Sequence, residues 1–350
     1  MVDNFSSGRR RFLGTAAVGL GALEFGLSSL AHADDDLPHA VAAVPTAGKA
    51  DASFGTIKQV DAGLLNVGYA EAGPANGPVV ILLHGWPYDI HGYVDVAPLL
   101  AAKGYRVIVP YVRGHGTTRF LDANTLRNGQ QSAVALDTIA LMDALKIDQA
   151  ILAGYDWGSR TACVIAALWP ERCKGIVSAN GYIINNLDFN KHPLPPEAEH
   201  AWWYQFYFAT ERGKAGLEAN RRDLAKLMWH QFSPKWSFDD ATFERTATAY
   251  DNPDYVAIVV HNYRWRLSLA QGEQRYDMFE ERLAHAPVIP VPAITIDGDA
   301  NGVVPATDGK GYARKFSGKY AHRIVSGAGH NLPQEAPRAF ADAVLEVASY

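Results

Sequence analysis

The run Ile151-Leu152-Ala153-Gly154-Tyr155-Asp156-Trp157-Gly158-Ser159 decides how the rest of the chain is read. An apolar, strand-like segment ends in a small-x-acid-x-small pentapeptide, and a helix-like segment from Thr161 to Leu168 follows at once. A strand, a sharp turn and a helix in that order push the central residue out at the carboxyl end of the strand, where open α/β sheets place their chemistry. Gly154 and Gly158 leave room for the backbone to reverse. The central residue is Asp156. A carboxylate attacking an ester would give an anhydride. A carboxylate attacking a saturated carbon gives an ordinary ester, which water then cleaves. The residue type therefore points to an alkylating electrophile, although the pentapeptide alone reads equally well as a plain tight turn.

Outward from this turn, strand and helix patterns alternate. Val79–Leu83 is a continuous apolar run, the mark of a strand covered on both faces. It leads into His84-Gly85-Trp86-Pro87. A helix pattern from Val94 to Lys103, a strand from Tyr105 to Pro110 and the loop Arg113-Gly114-His115-Gly116 come next. A helix from Gln130 to Leu145 then precedes the elbow strand. Further strands fall at Gly175–Ala179, Val291–Ile296 and His322–Val325, with a last helix at Pro337–Ala348. Such alternation predicts a mostly parallel sheet with right-handed crossovers. Residues 184–286 change character: they are helix-patterned and aromatic-rich, densest at Trp202-Trp203-Tyr204-Gln205-Phe206-Tyr207-Phe208.

The bounds agree with one large domain carrying an insertion, or with two small domains. The chain has 350 residues, of which 48% are apolar, and a formal charge of -5. A mildly acidic balance gives no footprint for nucleic acid. Two cysteines, Cys163 and Cys173, make no disulfide framework. No His and Cys cluster stands at metal-ligand spacing, so neither metal nor cofactor is expected. Residues 1–33 read as an address. Arg9-Arg10-Arg11-Phe12-Leu13 resembles a twin-arginine export motif, a weakly apolar stretch follows, and Ala31-His32-Ala33 fits a small-residue cleavage site before Asp34. That stretch is too short and too weakly apolar for a stable membrane anchor. The reading is export to the periplasm or outside the cell. Residues 34–53, rich in Ala, Asp and Pro, read as a flexible lead-in.

Four motifs in order carry a resemblance: His84-Gly85-Trp86-Pro87, Arg113-Gly114-His115-Gly116, Gly154-Tyr155-Asp156-Trp157-Gly158 and Gly327-Ala328-Gly329-His330-Asn331. From about Ile57 onward the chain resembles the α/β-hydrolase superfamily, in its aspartate-nucleophile branch of epoxide hydrolases and haloalkane or haloacetate dehalogenases. The resemblance implies an α/β-hydrolase fold, a mostly parallel sheet flanked by helices. Its core would run over 54–183 and 287–350, with an inserted helical cap at 184–286.

The resemblance also implies roles. Asp156 would be the nucleophile and His330, late in the chain on a loop, the base that activates water. A third group should hold the imidazole in its useful tautomer. The commonest family spacing puts an acid at position 301, where this chain has asparagine. Asp299, a carboxylate in the same turn, is the favoured candidate, with Asn301 as the alternative and Asp297 as a structural acid. Family geometry assigns the oxyanion hole to the backbone N–H groups of Trp86 and Trp157, while His84 holds its loop. Tyr204 and Tyr263 resemble the two cap tyrosines that protonate the oxygen of an opening epoxide. A halide would instead need N–H donors such as paired indoles, from Trp157, Trp86 or Trp202. Arg160, four residues past Asp156, stands where haloacetate dehalogenases bind a substrate carboxylate. The leading expectation is hydrolysis of a small-molecule epoxide to a vicinal diol. Dehalogenation by the same covalent step is the runner-up, and a non-catalytic binding protein on this fold is the third reading. Oligomeric state is left open.

Overall fold

The central strands form because their sequences have no polar face to offer. Val79–Leu83 alternates strictly: Val80 and Leu82 join one apolar cluster, Ile81 and Leu83 the other. Successive side chains of a strand point to opposite faces, so a run buried on both sides must be apolar throughout. Ala150–Gly154 repeats the pattern, with Ile151 and Ala153 on one face and Ala150 and Leu152 on the other.

The structure, a computed structural model, describes residues 53–350 and the backbone of Val41 and Ala42. Residues 1–33, read above as an export signal, lie outside the described residues. The strands are β1 Val41–Ala42, β2 Lys58–Ala62, β3 Leu65–Ala72, β4 Val79–Leu83 and β5 Arg106–Pro110, then β6 Arg119–Phe120, β7 Ala150–Gly154, β8 Cys173–Ala179, β9 Ala293–Gly298 and β10 Tyr320–Ser326. They form one sheet in the order β1-β10-β9-β8-β7-β4-β5-β3-β2, with β6 paired to β3. Every pairing from β1 to β5 along that order is parallel, whereas β3 joins β5, β2 and β6 antiparallel. Within the expected lead-in at 34–53, the structure describes one pairing. Val41 and Ala42 extend the sheet beside Val325 and Ser326.

Helices α1 Val96–Ala101, α2 Gln131–Ala144 and α3 Trp157–Leu168 follow the first parallel strands. Between β8 and β9 every described element is helical: α4 Pro196–Ala201, α5 Trp203–Ala209, α6 Glu211–Ala219, α7 Arg221–Phe232, α8 Asp240–Ala247, α9 Tyr255–Arg266 and α10 Asp277–Ala284, with short 3-10 turns. The chain ends with α11 Lys310–Ala313, α12 Leu332–Glu335 and α13 Pro337–Val347. Helices α2 and α3 cover one face of the sheet, and α1 and α13 the other. Aromatic residues of the helical insertion, Tyr204, Phe208, Trp229, Phe232 and Tyr263, belong to the same apolar cluster as that second face. At roughly 1.5–3 kcal/mol per large apolar side chain buried, this shared cluster holds the insertion against the carboxyl ends of the strands.

Candidate active site

Asp156 sits at the tip of the turn between β7 and α3 with φ 51 and ψ −122, a backbone conformation that L-residues rarely adopt. The turn closes because Gly158 lies against the carbonyl of Leu83 and Gly85 lies against the Asp156 side chain. A Cβ at either glycine would collide there. The Trp86 N–H donates to Asp156 Oδ1 at 2.8 Å. The imidazole Nε2 of His330, on the loop after β10, stands 3.5 Å from Asp156 Oδ2 without a well-formed hydrogen bond. Burial pushes the Asp156 carboxyl up. His330, the nearby Arg160 charge and the Trp86 N–H outweigh it and leave the group below its ordinary value of 3.8. The carboxylate is thus ionised across the neutral range.

His84 holds the Trp86 loop, as its position suggested. Its Nδ1 contacts the Gly85 carbonyl at 3.0 Å, and its Nε2 accepts the Val112 N–H at 3.1 Å. Trp157, the second expected backbone donor, opens α3 directly after Asp156.

The partner of His330 differs from the favoured expectation. Asp299 still belongs to the sheet ladder, its N–H donating to the Val325 carbonyl. Its carboxylate therefore turns to the end of β10, accepting from Ser326 Oγ at 2.9 Å and Gly327 N–H at 2.6 Å. Asn301 lies past the turn, and its Nδ2 is 3.1 Å from His330 Nδ1. Asn301 Oδ1 accepts the N–H groups of Val303 and Val304 at 2.9 and 3.0 Å. Those two donors fix which end of the amide faces the imidazole. Asp297 is structural, accepting from the N–H and hydroxyl of Thr307.

Above the carboxylate stand the two cap phenols. Tyr204 and Tyr263 are 5% and 1% exposed, and their rings meet edge to face at 5.4 Å. Tyr204 stacks on Trp86 at 5.5 Å, and Tyr263 lies 6.1 Å from Trp157. Buried Tyr93 and Tyr250 donate their hydroxyls to the carbonyls of Leu83 and Pro87. Tyr204 has the Gln205 side chain as a hydrogen-bond neighbour. Burial first, and then the Asp156 charge among other neighbours, hold both phenols above the ordinary range, so both keep their protons.

The indoles do not form a pair. Trp86 Nε1 donates to Tyr255 Oη at 2.8 Å. Trp202 Nε1 donates to the Val303 carbonyl at 3.1 Å. Only Trp157 Nε1, among these three, is buried without a partner. Arg160 is brought close to Asp156 by one turn of α3, its N–H donating to the Asp156 carbonyl at 3.0 Å. Among the described residues no three His, Cys, Asp or Glu side chains gather to hold a metal ion, and no helix is long and apolar enough to cross a membrane. Both cysteines are free and buried.

Sequence reasoning passed over two supports of the histidine loop. Glu335 accepts the N–H groups of Gly329 and Asn331, on either side of His330, at 2.6 and 3.0 Å. Ser233, from the insertion, donates its hydroxyl to Glu335 at 2.6 Å and accepts the His330 N–H at 3.0 Å. Glu335 had a faint signal, the one acid in the segment at 332–337, whereas Ser233 had none.

A match to the alpha/beta hydrolase fold family runs over residues 78–337, and the chain belongs to that family. It is 57% identical to a proposed epoxide hydrolase from Klebsiella pneumoniae subsp. pneumoniae, whose crystal structure aligns with a TM-score of 0.84 over 86% of this chain and 99% of that one. Over 149 residues it is 32% identical to Epoxide hydrolase B of Mycobacterium tuberculosis, a span of 39% of this chain and 41% of that protein. Over 155 residues it is 32% identical to a haloalkane dehalogenase of Mycobacterium marinum, a span of 43% of this chain and 48% of that protein. The matched spans thus cover less than half the length of these two curated relatives.

Proposed function

We propose that the protein hydrolyses an epoxide to a vicinal diol. The observation that carries this reading is the pair of buried, protonated phenols, Tyr204 and Tyr263, set over an ionised aspartate at a strained turn. An Asp156 oxygen bonds to an epoxide carbon, the carbon–oxygen bond of the ring breaks, and a phenol proton goes to the departing oxygen. Water then attacks the ester carbonyl. The resulting oxyanion lies at the Trp86 and Trp157 N–H groups, and the acyl–oxygen bond breaks to free the diol. His330 takes the proton from that water. With Asn301 donating to Nδ1, the resting imidazole carries its hydrogen on Nε2, the side facing Asp156. Ester hydrolysis needs the other tautomer, so we propose that it is the slower of the two chemical steps. Similarity to Epoxide hydrolase B and to the Klebsiella protein supports the reaction class.

The test is rapid-mix alkylation of Asp156, followed by intact mass. Tyr204→Phe and Tyr263→Phe should each slow epoxide alkylation, and the double variant should nearly abolish it. Loss of one donor to a developing oxyanion costs about 100- to 1000-fold, less where the second donor substitutes. A single turnover in heavy-oxygen water should leave label in the Asp156 carboxylate. Full alkylation in the double Tyr→Phe variant would remove this reading. A second reading, halide displacement, draws on the buried, unpartnered Trp157 indole. It requires Trp157→Phe to slow halide release while the Tyr→Phe pair leaves halide turnover intact. The arginine pair near the N-terminus supports the further proposal of twin-arginine export. Changing Arg9 and Arg10 to Lys should trap the precursor in the cytoplasm, and unaltered export would end that proposal.

A further inference from the structure

Arg113, which is fully buried, and three part-buried arginines have their acids. Arg113 pairs with Asp137, Arg106 with Glu71, Arg127 with Asp254 and Arg323 with Glu346. Two arginines beside the nucleophile have none. Arg160 is 8% exposed, and the one acceptor its guanidinium reaches is the Ile183 carbonyl, at 3.3 Å from Nε. Arg266, in the last turn of α9, lays its guanidinium over the Tyr263 ring at 5.8 Å, and its Nε is enclosed without an acceptor. Each acts on the other and on the same neighbours, Tyr204 and Tyr263. Burial, and next the Arg266 charge, pull the Arg160 guanidinium down to about 10. A buried charge without a counterion is costly, and the part-buried Arg266 beside Arg160 adds to that cost.

Asp156 is the negative group that answers Arg160 in the free protein. The proposed chemistry removes it, because an ester carries no charge. The alkyl-enzyme would hold two guanidiniums beside a neutral nucleophile. An anion brought by the substrate would offset those charges in the bound state, through the alkylation step and in the ester. Planar guanidinium donors match a carboxylate in number and geometry. Arg160 lies one helical turn, about 5.4 Å of axial rise, beyond the nucleophile, so the anion would stand a few bonds from the reacting carbon. Resting on the epoxide reading above, we infer that Arg160 and Arg266 form an anion subsite and that the substrate is an epoxide bearing a carboxylate within a few bonds of the ring.

The experiment compares alkylation of Asp156 by trans-3-phenylglycidate and by its neutral carboxamide. A charge-assisted contact predicts an acid-over-amide ratio in kcat/KM of about 10- to 100-fold. Arg160→Gln and Arg266→Gln should each lower that ratio, and the double variant should bring it near one. Arg160→Lys and Arg266→Lys, which keep the charge, should retain part of it and guard against misfolding as the cause. Equal use of acid and amide by the parent protein, or a ratio unmoved in the Gln variants, overturns the inference. Alkylation by neither compound would count against the epoxide reading, and the subsite is then judged apart from turnover. Calorimetric titration of the Asp156→Asn protein with trans-cinnamate and trans-cinnamamide should show the acid binding at least about tenfold tighter, a preference that Arg266→Gln removes. Equal binding of the two would refute the subsite whatever the reaction.

Discussion

Replacing Asn301 by aspartate should make ester hydrolysis faster. In the native protein the Asn301 amide oxygen is held by the N–H groups of Val303 and Val304, so its nitrogen faces His330 Nδ1 at 3.1 Å. When the imidazole accepts a proton from water, both ring nitrogens become donors. An N–H on Nδ1 then points at an N–H of the amide. A carboxylate at 301 keeps one oxygen on the two backbone donors and offers the other to Nδ1–H, which selects the tautomer with a free Nε2. The reverse change in a serine triad, acid to amide, costs about 10,000-fold in kcat, or roughly 5.4 kcal/mol. That figure is the ceiling here, since the loop is shaped around an amide, and we expect an increase of about 100- to 10,000-fold. The assay loads the alkyl-enzyme in a rapid mix and follows its decay by intact mass. Alkylation itself should change far less, because the epoxide oxygen takes its proton from a phenol. An unaltered or slower decay in a normally folded Asn301→Asp protein would show that the amide is not what limits the base.

Three further outcomes follow from the same geometry. Glu335→Gln puts an amide nitrogen against backbone donors of the His330 loop, so stability should fall by about 1–3 kcal/mol in denaturant unfolding, and ester decay should slow with it. The Asp156 carboxyl lies below its ordinary 3.8, so it stays ionised as pH falls through that value. Alkylation should therefore hold from neutral pH down past 3.8 and fail only below it, where a profile that drops near pH 5 would contradict the contacts described. Arg160 keeps its proton below about 10 and loses it above; the acid-over-amide preference should fade as pH rises through that point.

The sheet and the elbow were legible because their physics leaves marks on neighbouring residues. A strand buried on both faces must be apolar at every position, and a sharp turn beside a closely packed helix must be glycine where backbones touch. Gly154-Tyr155-Asp156-Trp157-Gly158 carries both signals. Chain order and loop position singled out His330, which the structure brings to 3.5 Å from Asp156. The third member was misplaced because Asp299 and Asn301 share one turn, and charge alone does not say which side chain turns toward the imidazole. That depends on where the ladder with β10 ends: Asp299 N–H still reaches Val325, while Asn301 N–H bonds to the Gly298 carbonyl beyond it. Arg266 was invisible for another reason. Its interest lies in the absence of an acid, and an absence in space has no spacing in sequence.

Two departures from the expected triad have the same electrostatic sign. An amide stands at 301 where an acid would be, which removes a negative charge from beside His330. Arg160 and Arg266 add positive charge on the other side of the nucleophile. The nearest carboxylate behind the histidine loop, Glu335, is committed to Gly329, Asn331 and Ser233. Such a pocket favours an anion over a neutral guest and disfavours a second cation, the imidazolium that ester hydrolysis must form. A substrate carboxylate would change that balance. It would sit near the guanidiniums during the step in which His330 gains its proton, and its charge would lower the cost of that gain. The substrate would then supply part of the field that an acid at 301 supplies elsewhere. On this argument a neutral epoxide should alkylate Asp156 and then release slowly, whereas an epoxy acid should both load and turn over. The decay rates of the two alkyl-enzymes, measured side by side, read that difference directly.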